Sequence, residues 1–92
     1  MQKHIKIYFD HFRIGEQDDI YCQACQRGGR VDKGGFDIHH IHGRGKGKNV
    51  IENLILLCRK CHKKAHDGQL NKTDLEYIHN HKLLGHTKRF VK

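Results

Sequence analysis

Two Cys-x-x-Cys pairs, Cys22-Gln-Ala-Cys25 and Cys58-Arg-Lys-Cys61, stand 32 residues apart in a chain of only 92. Each pair offers two soft ligands from a single turn, so the four thiolates suit the corners of one tetrahedral ion, for which zinc is the expected metal. A chain of this length buries too little apolar surface to be secure without such a staple. With no proline or tryptophan, 36% hydrophobic residues and 10 glycines, it reads as loop-rich with a thin core. Two disulfides would be the alternative in a secreted protein. The opening Met1-Gln-Lys-His-Ile-Lys6 has no apolar run suited to a signal peptide, however, so a reducing cytoplasm is the expected location. A thioredoxin-like redox role would need a βαβ context that neither pair has. Mean hydropathy is −0.82, and no stretch approaches the roughly 20 apolar residues of a membrane span, so no membrane partner is expected.

Eighteen Lys and Arg against 10 Asp and Glu leave a formal charge of +8. Four bound thiolates and one Zn²⁺ would remove about two of these charges, and the chain would still be clearly basic. Nucleic acid is the natural partner for that field, although surface lysines also serve plain solubility.

Along the chain, Ile5, Tyr8, Phe9 and Phe12 follow the i, i+3, i+4, i+7 spacing of a helix over residues 3–13, while Ile5, Ile7 and Phe9 would also suit a strand. Gly15 to Asp19 reads as a turn. Ile20 and Tyr21 lead into the first cysteine pair, and Gln-Arg-Gly-Gly after it reads as a tight knuckle with glycines relieving the backbone. Phe36 to Ile41 is strand-like. Gly43, Gly45 and Gly47 make the segment Arg44 to Lys48 a flexible basic loop. Val50 to Leu57 is an apolar run ending at Cys58. A short basic helix follows from Cys61 through His66, with Gly68 as its stop. Thr73 with Glu76 forms a capping-box pattern for a last helix closed by Gly85, and His86 to Lys92 reads as a mobile basic tail.

The interval between the cysteine pairs is longer than a plain zinc ribbon needs, which suggests that the staple brackets a functional loop. It holds Asp37-Ile-His39-His40-Ile41-His42 and Glu52-Asn53-Leu54, and the second pair runs straight into His62-Lys-Lys-Ala-His66. This arrangement resembles the HNH endonuclease family over about residues 20–67. The resemblance implies an α+β fold: a small zinc-stapled ββα-metal domain, treble-clef-like (a His-Me finger), with flanking short helices. It also implies one domain over residues 1–92, with an N-terminal extension at 1–19 and a C-terminal helix and tail at 68–92.

Roles follow by resemblance at the matching positions. His40 is the expected general base, and His39 and His62 are expected to bind the catalytic metal. Asn53 matches the asparagine that pins the loop by hydrogen bonds, although in some variants that position binds metal itself. The spacing of His66 resembles colicin-type nucleases that use a histidine triad. The residues agree with this transfer. Neighbours on a strand point to opposite faces, so one of His39 and His40 can hold a metal while the other faces a water. His62 and His66, at i and i+4, share a helix face. His66 could equally be a helix-terminal histidine favoured by the dipole, and His42 an ordinary loop residue.

A shell of neutral nitrogens suits Zn²⁺, Ni²⁺, Co²⁺ or Mn²⁺ better than Mg²⁺. Asp37 stands two residues from His39 on the same face, as a second-sphere partner or an oxygen ligand that would restore affinity for Mg²⁺. Arg44, Lys46 and Lys48 in the loop and Lys60, Lys63 and Lys64 on the helix are candidate phosphate contacts. The expected activity is hydrolysis of DNA phosphodiesters with low sequence specificity, by a monomer or homodimer. The resemblance also fits a source in a phage or mobile element. The rival from another class is a non-catalytic zinc module that binds nucleic acid through its basic surface.

Overall fold

A computed structural model describes the backbone of residues 2–91 and the side chains of residues 2–85. Helix α1 spans Lys3–Phe12, so the helical reading of the N-terminus holds over the alternating one. The reason lies in what it buries: His4 and Tyr8, one turn apart, face inward, with Ile5, Phe9 and Phe12 packed beside them. The helix ends where Arg13 adopts the left-handed conformation, φ 56°, and its N–H returns to the Asp10 carbonyl.

Strands β1 (Asp19–Tyr21) and β2 (Gly28–Arg30) form a small antiparallel hairpin whose tip carries the first cysteine pair. The glycines after that pair do not relieve the knuckle as expected. The left-handed position there is Gln26, φ 66°, and Gly28 and Gly29 lie in β2. Gly29 is needed for close approach: a Cβ there would stand 2.5 Å from the Phe36 ring.

Strands β3 (Phe36–His40) and β4 (Leu54–Cys58) pair antiparallel, with Phe36 opposite Cys58, Ile38 opposite Leu56 and His40 opposite Leu54. A single 3₁₀ turn, Ile51–Asn53, leads into β4, which is why the apolar run begun at Val50 is not all strand. All five residues of β4 are buried. Leu54 and Leu56 join Tyr8, Ile20 and Ile38 on the α1 side. Ile55 and Leu57 face the other way, into a cluster with Cys22, Ile41, Cys58, Cys61 and Leu75. Three of the buried apolar side chains are cysteines, so all of the cysteine set but the exposed Cys25 lies inside the thin core.

Helix α2 spans Arg59–His66 and starts two residues before the expected Cys61, because Cys58 ends β4 and serves directly as its N-cap. Gly68, φ 83°, follows its end as expected, with its N–H on the Ala65 carbonyl. Helix α3 spans Lys72–Val91. Its cap is Asn71, whose side-chain oxygen accepts the Asp74 N–H at 2.8 Å, instead of the expected Thr73 and Glu76 box. Gly85 does not close the helix. Glycine in a helix costs only about 0.5–1 kcal/mol relative to alanine, and α3 continues through the residues expected to form a mobile tail as far as Val91. Lys92 lies outside the described residues. Among the described residues no helix is long and apolar enough to cross a membrane.

Leu57, fully buried in the cluster that holds Cys22, Cys58 and Cys61, tests this account of the core. Leu57→Ala is expected to lower stability by about 2–5 kcal/mol through lost transfer energy and a residual cavity. A shift of the denaturant midpoint reads this directly, and a parental midpoint would contradict it.

Candidate functional site

The β1–β2 tip and the β4–α2 junction bring Cys22, Cys25, Cys58 and Cys61 together, with all four sulfurs within 4.8 Å of one another. Cys25 Sγ and Cys58 Sγ are 3.7 Å apart, far beyond a disulfide bond of about 2.05 Å. The Cys25 backbone N–H points at Cys22 Sγ, 3.5 Å away, as expected for a knuckle that presents sulfur as a negative ligand. Burial pushes the Cys58 thiol up, but the Cys61 backbone N–H and the thiols of Cys25, Cys61 and Cys22 outweigh it and bring it down to about 7. Burial and the thiols of Cys22, Cys25 and Cys58 push Cys61 up. A fully deprotonated set of four thiolates needs a cation in its midst. Four soft donors in this arrangement fit a structural Zn²⁺.

A second group lies at the α2 face of β3. His39 from the strand and His62 and His66 from the helix place one ring nitrogen each within 4.8 Å of the others. Their ring centroids are 4.7–5.6 Å apart. Burial together with His62, His66 and His40 lowers the His39 pKa to about 4, which keeps its lone pair free for a cation. Asp37 Oδ2 accepts from His62 Nδ1 at 3.0 Å and from Arg59 Nε at 3.1 Å. Asp37 thus stands as a partner of His62 rather than of its strand neighbour His39. With Nδ1–H engaged, His62 offers Nε2 as the nitrogen for a ligand. Three imidazoles so held fit a borderline divalent cation such as Zn²⁺, Ni²⁺ or Co²⁺.

His40 faces the opposite side of β3, buried under α1, with its ring 4.6 Å from that of His4. Its Nε2 lies 2.8 Å from Asn49 Oδ1; when Nε2 carries the proton, Asn49 accepts it and Nδ1 is left as the basic nitrogen. Asn53 is buried and committed to the loop. Its Oδ1 accepts the His42 N–H at 2.7 Å, and its Nδ2 donates to the carbonyls of Lys48 at 2.9 Å and Gly43 at 3.3 Å. His42 lies near Glu76 Oε1 of α3, at 3.3 Å.

A cleft of about 220 Å³ is lined by His39, His40, Gly43, Arg44, His62 and His66, so Arg44 is the loop cation that meets the histidines. Lys46 and Lys48 are exposed farther along the loop. On α2, at roughly 100° per residue, Lys63 shares the flank of His66 and Arg59, while Lys60 and Lys64 point about 120–160° away. His4 and Asn49 were not singled out from the sequence. His4 precedes Tyr8 by one turn, so the helical period could have marked it as inward-facing, but an amide in a glycine-rich loop has no comparable pattern.

The fold and the two clusters define a small α+β protein of two short antiparallel sheets and helices, with a four-cysteine cluster suited to zinc, an arrangement consistent with the HNH fold. The chain belongs to the HNH endonuclease family, whose model matches residues 22–68, just over half of its length. A DNA mismatch repair protein mutS homolog of Acanthamoeba polyphaga mimivirus is 40% identical over a stretch covering 38% of this chain and 4% of that protein. The chain thus spans a small fraction of the length of the curated relative it matches. No solved structure matches the chain. The family and the relative point to a nuclease or DNA-related function.

The thiol cluster makes a direct forecast. Cys25→Ser should lower the zinc content below one structural ion per chain and the melting temperature sharply, since the binding energy of a structural metal adds to folding energy. Zinc analysis beside a thermal melt decides it; undiminished zinc and a parental melt would remove the staple.

Proposed function

We propose that the chain is a metal-dependent endonuclease that hydrolyses DNA phosphodiester bonds, with residues 1–92 acting as one unit around a core at about 20–67. The observation that supports it most is the split across one strand: three imidazoles able to share an ion on one side of β3, and a buried, oriented imidazole on the other. A divalent cation held by His39, His62 and His66 would supply Lewis-acid neutralisation of the charge that builds up as the phosphodiester is cut.

His40 Nδ1 takes a proton from the attacking water, whose oxygen bonds to phosphorus as the P–O3′ bond breaks. The products are 3′-hydroxyl and 5′-phosphate ends. Asn49 keeps the His40 ring oriented, and Asn53 holds the loop that carries Arg44 over the cleft. His39, His62 and His66 are the metal ligands, with Asp37 orienting His62. Arg44, Arg59 and Lys63 are the inner phosphate contacts, and Lys46, Lys48, Lys60 and Lys64 extend the positive field outward. These backbone contacts carry no sequence information, so cleavage tolerates many sequences and nicking by a monomer is the simplest outcome. The viral relative fits a phage or mobile-element setting, acting in the host cytoplasm.

The two kinds of histidine should fail differently. His40→Ala should keep two metals per chain and bind DNA, yet cut about 10²–10⁴-fold more slowly, the usual worth of a positioned base. His62→Ala should lose the second metal, and excess cation should restore part of its rate. Metal content and plasmid cleavage, measured together, test this. Parental cleavage by His40→Ala would remove it from the mechanism, and one metal per chain with DNA binding but no cleavage in the parent would favour a zinc-stapled binding module.

Binding should also be electrostatic. Affinity for duplex DNA is expected to fall on the order of 100-fold between about 50 and about 200 mM salt, as for three or four neutralised phosphates. A salt-insensitive affinity would contradict phosphate-led binding.

A further inference from the structure

We propose that His79 is a positioning residue for the site, tethering the 3₁₀ turn that carries Asn53 to the first cysteine knuckle through Gln23. This rests on the nuclease reading of Asn53, but the tether is a separate structural claim. His79 lies on α3, beyond the residues matched by the family, and is completely buried. Its Nδ1 is 3.1 Å from Gln23 Nε2, and its Nε2 is 2.5 Å from the Ile51 carbonyl oxygen.

Every donor and acceptor in this chain of bonds is dictated by a backbone group at each end. The Leu56 N–H can only donate, and it does so to Gln23 Oε1 at 3.2 Å, where the Tyr8 hydroxyl also donates. Gln23 therefore turns its NH₂ toward His79, whose Nδ1 must accept. The Ile51 carbonyl can only accept, so Nε2 carries the proton. The ring is held neutral in one tautomer. A second proton, on Nδ1, would set two donors face to face and break the link to Gln23.

The tether ends where the site begins. Ile51 opens the turn that closes at Asn53, and the Asn53 side chain bonds to His42, Gly43 and Lys48 in the loop that follows His40. Gln23 lies between Cys22 and Cys25, and its own N–H bonds to the Leu56 carbonyl at 3.0 Å. The knuckle, the turn and the loop are thus joined through one imidazole.

Burial lowers the His79 pKa; the Ile51 carbonyl and Glu52 oppose this, while Lys82 on its own helix and His11 on α1 push it further down. The Tyr8 ring of α1 lies nearly parallel to it, with centroids 6.5 Å apart. The sign follows. The unfolded ring takes a proton near pH 6.5 and the folded ring only at lower pH, so this stabilisation is complete above about pH 6.5 and is lost as pH falls below it.

Two variants and one measurement on the parent test the tether. Gln at position 79 can accept from Gln23 and donate to Ile51 without titrating, whereas Leu can do neither. His79→Gln should keep its zinc, its cleavage rate within a few-fold and a protected His42 amide. His79→Leu should keep zinc, exchange the His42 amide at least about tenfold faster and cut up to about 100-fold more slowly, as when a change far from the chemistry misplaces the reacting groups. Between pH 7 and pH 5, His42 protection should fall in the parent and stay level in His79→Gln. Imidazole ¹⁵N shifts of the parent should report the Nε2–H tautomer, a reading that needs no variant to fold. An Nδ1–H tautomer, or a His42 amide as protected in His79→Leu as in the parent, would overturn the proposal. A parent that does not cut DNA would defeat the nuclease reading, while the tautomer and exchange readings would still decide the tether.

Discussion

The register of β3 against β4 is the constraint on which the rest depends. With His40 opposite Leu54 and His39 opposite Ile55, the two adjacent histidines are committed to different sides of one strand. A slip of one residue would exchange them, sending His39 under α1 and His40 toward α2, and would turn every apolar side chain of the strand to the wrong face. The slip is opposed from both ends. Phe36 packs into the space left by Gly29, and beyond the strand the Ile41 N–H continues the pairing to the Asn53 carbonyl at 2.8 Å. Because β4 is buried on both faces, a one-residue slip could not keep both apolar clusters filled.

A core this thin tolerates its polar load only because the polar groups answer one another. Among the described residues, no buried side-chain nitrogen or oxygen lacks a partner. Asp37 serves His62 and Arg59 with one oxygen, Gln23 Oε1 takes two donors, and the Asn53 amide holds three backbone groups of a loop that has three glycines at positive φ. Each arrangement replaces apolar burial with directional bonds, which hold side chains in one orientation more strictly than packing does. Such strictness suits a cleft in which imidazole nitrogens must converge on a point.

Periodicity and spacing reached far into this fold. The helical period of Ile5, Tyr8, Phe9 and Phe12, the strand run at Phe36, the glycine after α2 and both cysteine pairs correspond to elements and contacts of the structure. The readings that failed were local ones with close competitors. Asn71 capped α3 where Thr73 offered a similar pattern, and Gly85 stayed helical because a glycine only weakens a helix and does not forbid it.

What the sequence determined by itself was chemistry tied to short spacing: four thiols in two turns, two histidines one helical turn apart, and a dyad whose members must diverge on a strand. Such facts follow from backbone geometry within a few residues. Only the tertiary structure decided that Asp37 would serve His62, that Asn49 would hold His40, that the His4 ring would pack against it, and that Gln23 and His79, 56 residues apart, would meet in the core. Those pairings depend on how α1 and α3 pack against the two strands, and no local pattern encodes a contact between residues so distant in the chain.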